Sequence, residues 1–254
     1  MSAVEDGTSA LRLVGVSRRF GGITAVADVD LEVRVGARHG IIGPNGAGKT
    51  TLFNVISGEL KATRGRIELF GREITRHSPP ARVALGLGRT YQITRPFVHL
   101  TVRENLTIGS HGLSRSKFSL FRSWRSYRAR NLEVEELAHR FGLADRLDSP
   151  VSDLSHGEVR QLEVALALTL RPRLLLLDEP GAGLSPGERV SMRTLLHSLP
   201  PELTLVMIEH DMDLVRDVVN RITVLHFGEV VAEGPTAEIQ SDPRVREIYL
   251  GSKR

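Results

Sequence analysis

The stretch Gly43-Pro44-Asn45-Gly46-Ala47-Gly48-Lys49-Thr50-Thr51 constrains this chain more than any other. It follows Gly40-Ile41-Ile42, a short apolar run readable as a strand, and precedes the helix-like run Leu52-Phe53-Asn54-Val55-Ile56. Glycines let a backbone wrap a phosphate without Cβ clashes, so successive N–H groups point inward at a helix start whose dipole favours negative charge. In such a phosphate-binding loop Lys49 reaches the β- and γ-phosphates and the Thr50 hydroxyl ligates Mg2+. The strand before it and the helix after it argue against an incidental glycine-rich turn.

Two further strands point at the same chemistry. Leu174-Leu175-Leu176-Leu177 runs into Asp178-Glu179-Pro180, which describes a strand buried on both faces whose C-terminal end opens into a site. Asp178 is placed to help hold the Mg2+ that Thr50 also ligates, which leaves Glu179 to polarise a water. The apolar run Leu203 to Ile208 ends at Glu209-His210-Asp211. An isolated histidine is usually a satisfied core residue, but one at the end of a parallel strand beside a phosphate loop reads better as a phosphate sensor. Leu154-Ser155-His156-Gly157-Glu158 opens a long helix, with Asp153 or Ser155 as cap and Glu158 completing a capping box with Ser155.

The rest of the chain is organised around these segments. Leu11 to Val14 and Val29 to Val33 alternate as half-buried strands around the exposed aromatic turn Phe20-Gly21-Gly22. Phe20 stacks on an adenine ring or plugs the space between strands; the sequence leaves both open. Gly65 to Gly71 reads as a strand, and Val83 to Arg89 as the approach to another. From 93 to 170 apolar residues recur at helical spacing, the pattern of a mostly helical insert. Within it Phe118, Phe121, Trp124 and Tyr127 fall three apart among Lys117, Arg122, Arg125, Arg128 and Arg130. Nucleic-acid contact and a membrane-surface helix both fit that pattern, but a helix packed through its aromatics with solvated arginines fits better, because the charge excess is only local. Ile222 to Leu225 and Glu229 to Glu233 read as strands joined at Phe227-Gly228, and Gly234-Pro235 starts a short helical tail.

Composition bounds the class. With 254 residues and 41% hydrophobic residues the chain suits one large or two small folding units. There is no cysteine, which excludes disulfides and thiolate metal sites. Met1 to Ala10 is polar and acidic, so no signal peptide is expected, and every apolar run is far below the ~18 residues that cross a bilayer. A soluble chain is expected, with a net charge of +4 from 34 Lys and Arg against 30 Asp and Glu, a weak pull on acidic partners.

Taken in order, the phosphate loop, Leu154 to Glu158, Leu174 to Glu179 and His210 resemble the motifs of an ATP-binding cassette (ABC) transporter ATPase over essentially the whole chain. The subfamily it looks most like is the ATP-binding subunits of branched-chain or hydrophobic amino acid importers. The cues are Phe20-Gly21-Gly22, Gly88-Arg89-Thr90-Tyr91-Gln92, Leu100 to Leu106 and Tyr249-Leu250-Gly251. The resemblance implies an α/β fold, a RecA-like P-loop core with an antiparallel β subdomain (about 8–92 and 171–240), a helical subdomain (about 93–170) and a tail (241–254). It implies two ATPase subunits, identical or sister, packed head to tail with ATP and Mg2+ between one subunit's Walker A loop and the other's signature loop. Ser155 and Gly157 would then touch the partner's nucleotide. Gln92 matches the Q-loop glutamine that senses Mg2+ and the membrane partner, Asp178 the Walker B aspartate and His210 the switch histidine. Transmembrane permease subunits, indirectly a solute-binding protein, and a peripheral place on the cytoplasmic face of the membrane follow; nucleic acid is not expected as a partner.

His156 stands where the usual signature has a second glycine, Glu158 where it often has glutamine, and Ser185 where the loop after Walker B usually carries aspartate. Tuned ATPase activity, with coupling between the two sites weakened at Ser185, is the expectation. Two other readings use the same residues: the ATPase of a lipopolysaccharide-type exporter, and a soluble ATP-driven switch on nucleic acid or ribosomes. The latter commonly has two cassettes or a long coiled-coil insert, and this sequence has neither.

Overall fold

Alternating apolar residues close the start of the chain into a hairpin. In the computed structural model, which describes residues 9–90, 96–111 and 124–250, β1 (Ser9–Phe20) pairs antiparallel with β2 (Ile23–Arg34). Leu11, Leu13 and Val16 face Val33, Leu31 and Val29 in register and are buried. Both strands run beyond the expected stretches, because the polar tip around Arg18 and Arg19 pairs through its backbone without burying a face.

β3 (Arg38–Ile42) leads into the phosphate loop and α1 (Lys49–Ser57). β4 (Arg64–Leu69) then pairs with the free edge of β1, and the short β5 (Arg72–Glu73) completes an antiparallel sheet of order β2-β1-β4-β5. α2 (Pro79–Ala84) and β6 (Leu87–Arg89) follow. The strand approach expected from Val83 is therefore half helix: Pro79 and Pro80 sit in the first turn, where a missing N–H costs nothing, and Gly86 with φ 99° turns the chain before β6.

Between β6 and the next strand the chain forms α3 (Val102–His111), α4 (Trp124–Arg140) and α5 (His156–Leu168). Phe118 and Phe121 lie outside the described residues; Trp124 and Tyr127 fall in the first turn of α4. The remainder alternates: β7 (Leu174–Asp178), α6 (Pro186–His197), β8 (Thr204–Ile208), α7 (Met212–Val218), β9 (Arg221–His226), β10 (Glu229–Pro235), α8 (Thr236–Ser241) and α9 (Pro243–Leu250).

These strands build a second sheet of order β10-β9-β3-β8-β7-β6, parallel except for β10. Every residue of β7 is buried, and its leucines serve two cores. Leu174 and Leu176 join the cluster formed with α1 and the antiparallel sheet, while Leu175 and Leu177 join the cluster that runs through α3, α5, α6 and α7. The C-terminal ends of β3, β7 and β8 consequently open side by side, which is where parallel sheets bind ligands. Among the described residues no helix is long and apolar enough to cross a membrane.

His39 on β3 is completely buried, with Nε2 2.7 Å from Thr223 Oγ1 of β9. Burial first, and Arg221 second, lower its pKa from 6.5 to about 4. Between those values the unfolded chain binds a proton that the folded chain excludes, so stability is complete above pH 6.5 and falls as the pH drops toward 4. The full loss is about 3 kcal/mol. Denaturant titrations across that window should show the decline, and His39→Gln should flatten it.

Candidate active site

β3 ends at Ile42 and the loop turns through Gly43, Gly46 and Gly48, all with positive φ. A Cβ at Gly48 would stand 2.3 Å from the Ala25 carbonyl oxygen of β2, and one at Gly43 2.2 Å from the Leu225 oxygen of β9. Glycine is what lets the loop lie this close to both sheets. Gly48 is the N-cap of α1 with no side-chain cap bond, and no acid stands in the first turn, so no capping side chain competes for the positive helix end. Lys49 is buried and folds its Nζ back onto the Gly43 and Pro44 carbonyls at 2.7 and 3.1 Å. Burial lowers its pKa, while the nearby Glu179 and Asp178 favour its charged form.

Asp178 ends β7 with its carboxylate buried. Oδ2 accepts from an Arg89 guanidinium nitrogen at 3.3 Å, and Oδ1 is buried with no hydrogen-bond partner among the described residues. Burial raises its pKa, opposed chiefly by Arg89. Glu179 follows in a left-handed conformation, φ 49°, and its N–H donates to the Ile208 carbonyl of β8 at 2.9 Å. That conformation is uncommon for a residue with a Cβ and turns the chain sharply out of the sheet. The next strand contributes Glu209, fully buried, whose Oε1 accepts from Gly181 N–H at 2.6 Å and whose Oε2 accepts from His210 N–H at 2.9 Å. One carboxylate thus ties the turn after Glu179 to the start of the His210 loop. Burial raises the Glu209 pKa, opposed by these backbone donors. The His210 side chain itself is 59% exposed.

Ser155 caps α5 with the full expected capping box: its Oγ accepts from Glu158 N–H, and Glu158 Oε2 accepts from Ser155 N–H at 2.7 Å. Ser185 caps α6 in the same way with Glu188. Glu188 does more, since its other oxygen accepts from Gly157 N–H at 2.9 Å. The hydrogen bonds from Ser185 and Gly157 hold its pKa below the usual carboxylate range. His156 Nε2 meets the Ala182 carbonyl at 3.2 Å. All three departures from the usual signature and following loop are therefore engaged: Glu158 and Ser185 in caps, His156 against the turn after β7.

The fold brings Lys49, Asp178 and Glu179 together from β3 and β7, with His210 at the neighbouring strand end. Ser155 and Gly157 open α5, where His156 meets the Ala182 carbonyl, Gly157 the Glu188 carboxylate and Glu158 the Arg146 guanidinium. Phe20 ends β1, 42% exposed, with the Arg18 guanidinium 4.5 Å from its ring centroid. Gln92 lies outside the described residues. Three residues escape a reading of the sequence: Arg89, Glu188 and Glu209. For Glu188 the signal is present, the same Ser-x-x-Glu spacing that marks Ser155; for Glu209 it is a third acid at the end of a buried strand.

The site fits a nucleotide with a divalent cation. The loop amides and the helix end that no side chain caps suit phosphates, and Asp178 Oδ1, without a partner among the described residues, suits a hard cation. Fold and site together define a P-loop nucleotide hydrolase. Comparison with known proteins then gives the family. Residues 26–182 match the ABC transporter model, and residues 229–253 match a model described as branched-chain amino acid ATP-binding cassette transporter. The high-affinity branched-chain amino acid transport ATP-binding protein BraF of Pseudomonas aeruginosa is 37% identical over 249 residues, 95% of this chain and 97% of that protein. The corresponding LivG of Escherichia coli is 37% identical over 248 residues, again 95% and 97%. An ATP-binding cassette of an ABC transporter, solved in its ADP conformation, superposes with a TM-score of 0.83 at 32% identity, covering 96% of this chain and 99% of its own. The chain belongs to the ABC transporter family, as an ATP-hydrolysing subunit.

Gly48→Ala should destabilise the loop by at least the ~1 kcal/mol that a left-handed residue with a Cβ costs. The clash with Ala25 adds to it. Thermal melts and nucleotide-binding titrations should show both lower stability and lost ATP affinity.

Proposed function

We propose that this chain is one of two ATPase subunits that drive uptake of branched-chain or other hydrophobic amino acids through a membrane permease. The observation that carries the cargo class is the likeness, along nearly the whole chain, to branched-chain amino acid transport ATP-binding proteins, joined by the match at residues 229–253. The cargo itself never meets these residues, because selection lies with the permease and its solute-binding protein.

In this reading Gly43 to Thr51 cradle the polyphosphate, and Lys49 exchanges its Gly43 and Pro44 carbonyls for phosphate oxygens. Phe20 offers its ring to the adenine. Thr50, Asp178 and Gln92 would hold Mg2+, which supplies charge neutralisation as the terminal phosphate leaves. Glu179 takes a proton from the attacking water, His210 donates toward the terminal phosphate, and Glu209 ties the turn after Glu179, at Gly181, to the His210 backbone. Ser155 and Gly157 present a second helix N-terminus to the nucleotide of a partner subunit. Each opposite-charge contact at about 4 Å contributes roughly 4 kcal/mol at an effective dielectric of 20, so closure of the pair depends on the intact triphosphate. Opening after hydrolysis moves the permease, which docks near Gln92 on the cytoplasmic face of the membrane.

Glu179→Gln should cut steady-state ATPase by about two to four orders of magnitude and accumulate an ATP-bound dimer visible by size-exclusion chromatography. Unchanged turnover removes Glu179 as the base. The cargo is read from the permease that co-purifies with the chain: stimulation of the complex by branched-chain amino acids supports uptake, and stimulation by lipopolysaccharide supports the exporter reading.

A further inference from the structure

We propose that Arg89 is a positioning residue that holds two of the protein groups offered to the cation in fixed relation; this rests on the reading of Thr50 and Asp178 as those two groups. Arg89 ends β6, at the sheet edge beside β7. Its side chain is only 5% exposed and spans two other elements. One terminal guanidinium nitrogen donates to Ser57 Oγ at 2.7 Å, on the last residue of α1. The other donates to Asp178 Oδ2 at 3.3 Å, and the Asp178 side chain is 1% exposed. The Phe53 ring, on the same helix, lies 5.8 Å from the guanidinium carbon.

The next residue reinforces the grip. Thr90 Oγ1 accepts from Asp178 N–H at 3.3 Å, and Thr90 N–H donates to the Leu176 carbonyl at 2.9 Å. Asp178 is thus held at its backbone and at one carboxylate oxygen by two consecutive residues. A carboxylate has two equivalent oxygens and a soft terminal torsion. With Oδ2 engaged by Arg89, Oδ1 is the oxygen left for a ligand, and it has no hydrogen-bond partner among the described residues. The same guanidinium fastens the far end of the helix that begins with Lys49 and Thr50. One buried side chain therefore fixes α1 relative to Asp178. A planar fork reaches two acceptors in different elements, which a lysine ammonium on a single stem does less well. Lys49 and Glu179 are the other charged groups that act on Asp178, and neither of them reaches α1's last turn by a described bond.

The test separates cation positioning from folding. ATP affinity is measured by calorimetry in EDTA and again with Mg2+, alongside thermal melts, for the native chain, Arg89→Met, Arg89→Lys and Ser57→Ala. Outer-shell partners of metal ligands typically change metal affinity by about ten- to hundredfold. Arg89→Met is expected to keep its EDTA affinity within about twofold and to lose about tenfold of the gain that Mg2+ confers. Arg89→Lys should recover part of that gain. Ser57→Ala, which keeps the charge pair and frees the helix end, should lose a smaller share and decides the question if Arg89→Met does not fold. A parallel fall in both affinities, or an undiminished Mg2+ gain, overturns the role of Arg89. Absence of any Mg2+ gain in the native chain overturns instead the underlying reading of Thr50 and Asp178.

Discussion

Backbone touches backbone at the phosphate loop, and the two sheets are joined through that contact. Gly48 lies against the Ala25 carbonyl of β2, Gly43 against the Leu225 carbonyl of β9, and Gly228 N–H donates to the Ala47 carbonyl while its own carbonyl accepts from Ala27. Interiors close-packed in this way have no slack for a side chain. The loop that binds phosphate is thus also the joint between the antiparallel and parallel layers, and its glycines answer to both demands.

Charge is arranged around this joint by strand ends rather than by a dedicated cluster. β7 delivers Asp178 and Glu179, and β8 delivers Glu209 and His210. The two buried carboxylates find different donors, a guanidinium for Asp178 and backbone N–H groups for Glu209. Burial alone would drive both toward the neutral form, and the donors work against it. Glu179 differs in kind. It is held by its backbone in a left-handed turn at the strand end, half-buried.

Much of this is legible in the chain itself, where the cause is local. Four leucines before two acids announce a strand buried on both faces, and β7 feeds one core with Leu174 and Leu176 and the other with Leu175 and Leu177. The Ser155 box declares the start of α5. What escapes depends on distant partners. Arg89 matters because β6 lies beside β7 and within reach of α1, and Glu209 because its strand end faces the turn at Gly181. Val83 to Arg89 reads as a strand approach in the sequence, whereas the proline pair ahead of it starts a helix that takes in Val83 and Ala84 and only Leu87 to Arg89 are strand.

Glu188 has a mechanical meaning. One of its oxygens is committed to the opening of α6, the other to Gly157 in the opening of α5, and His156 adds a second fastening to Ala182. Two helices that begin in different parts of the sequence therefore share a common footing. The openings of α5 and α6 and the turn behind Glu179 are thereby tied into one hydrogen-bonded unit.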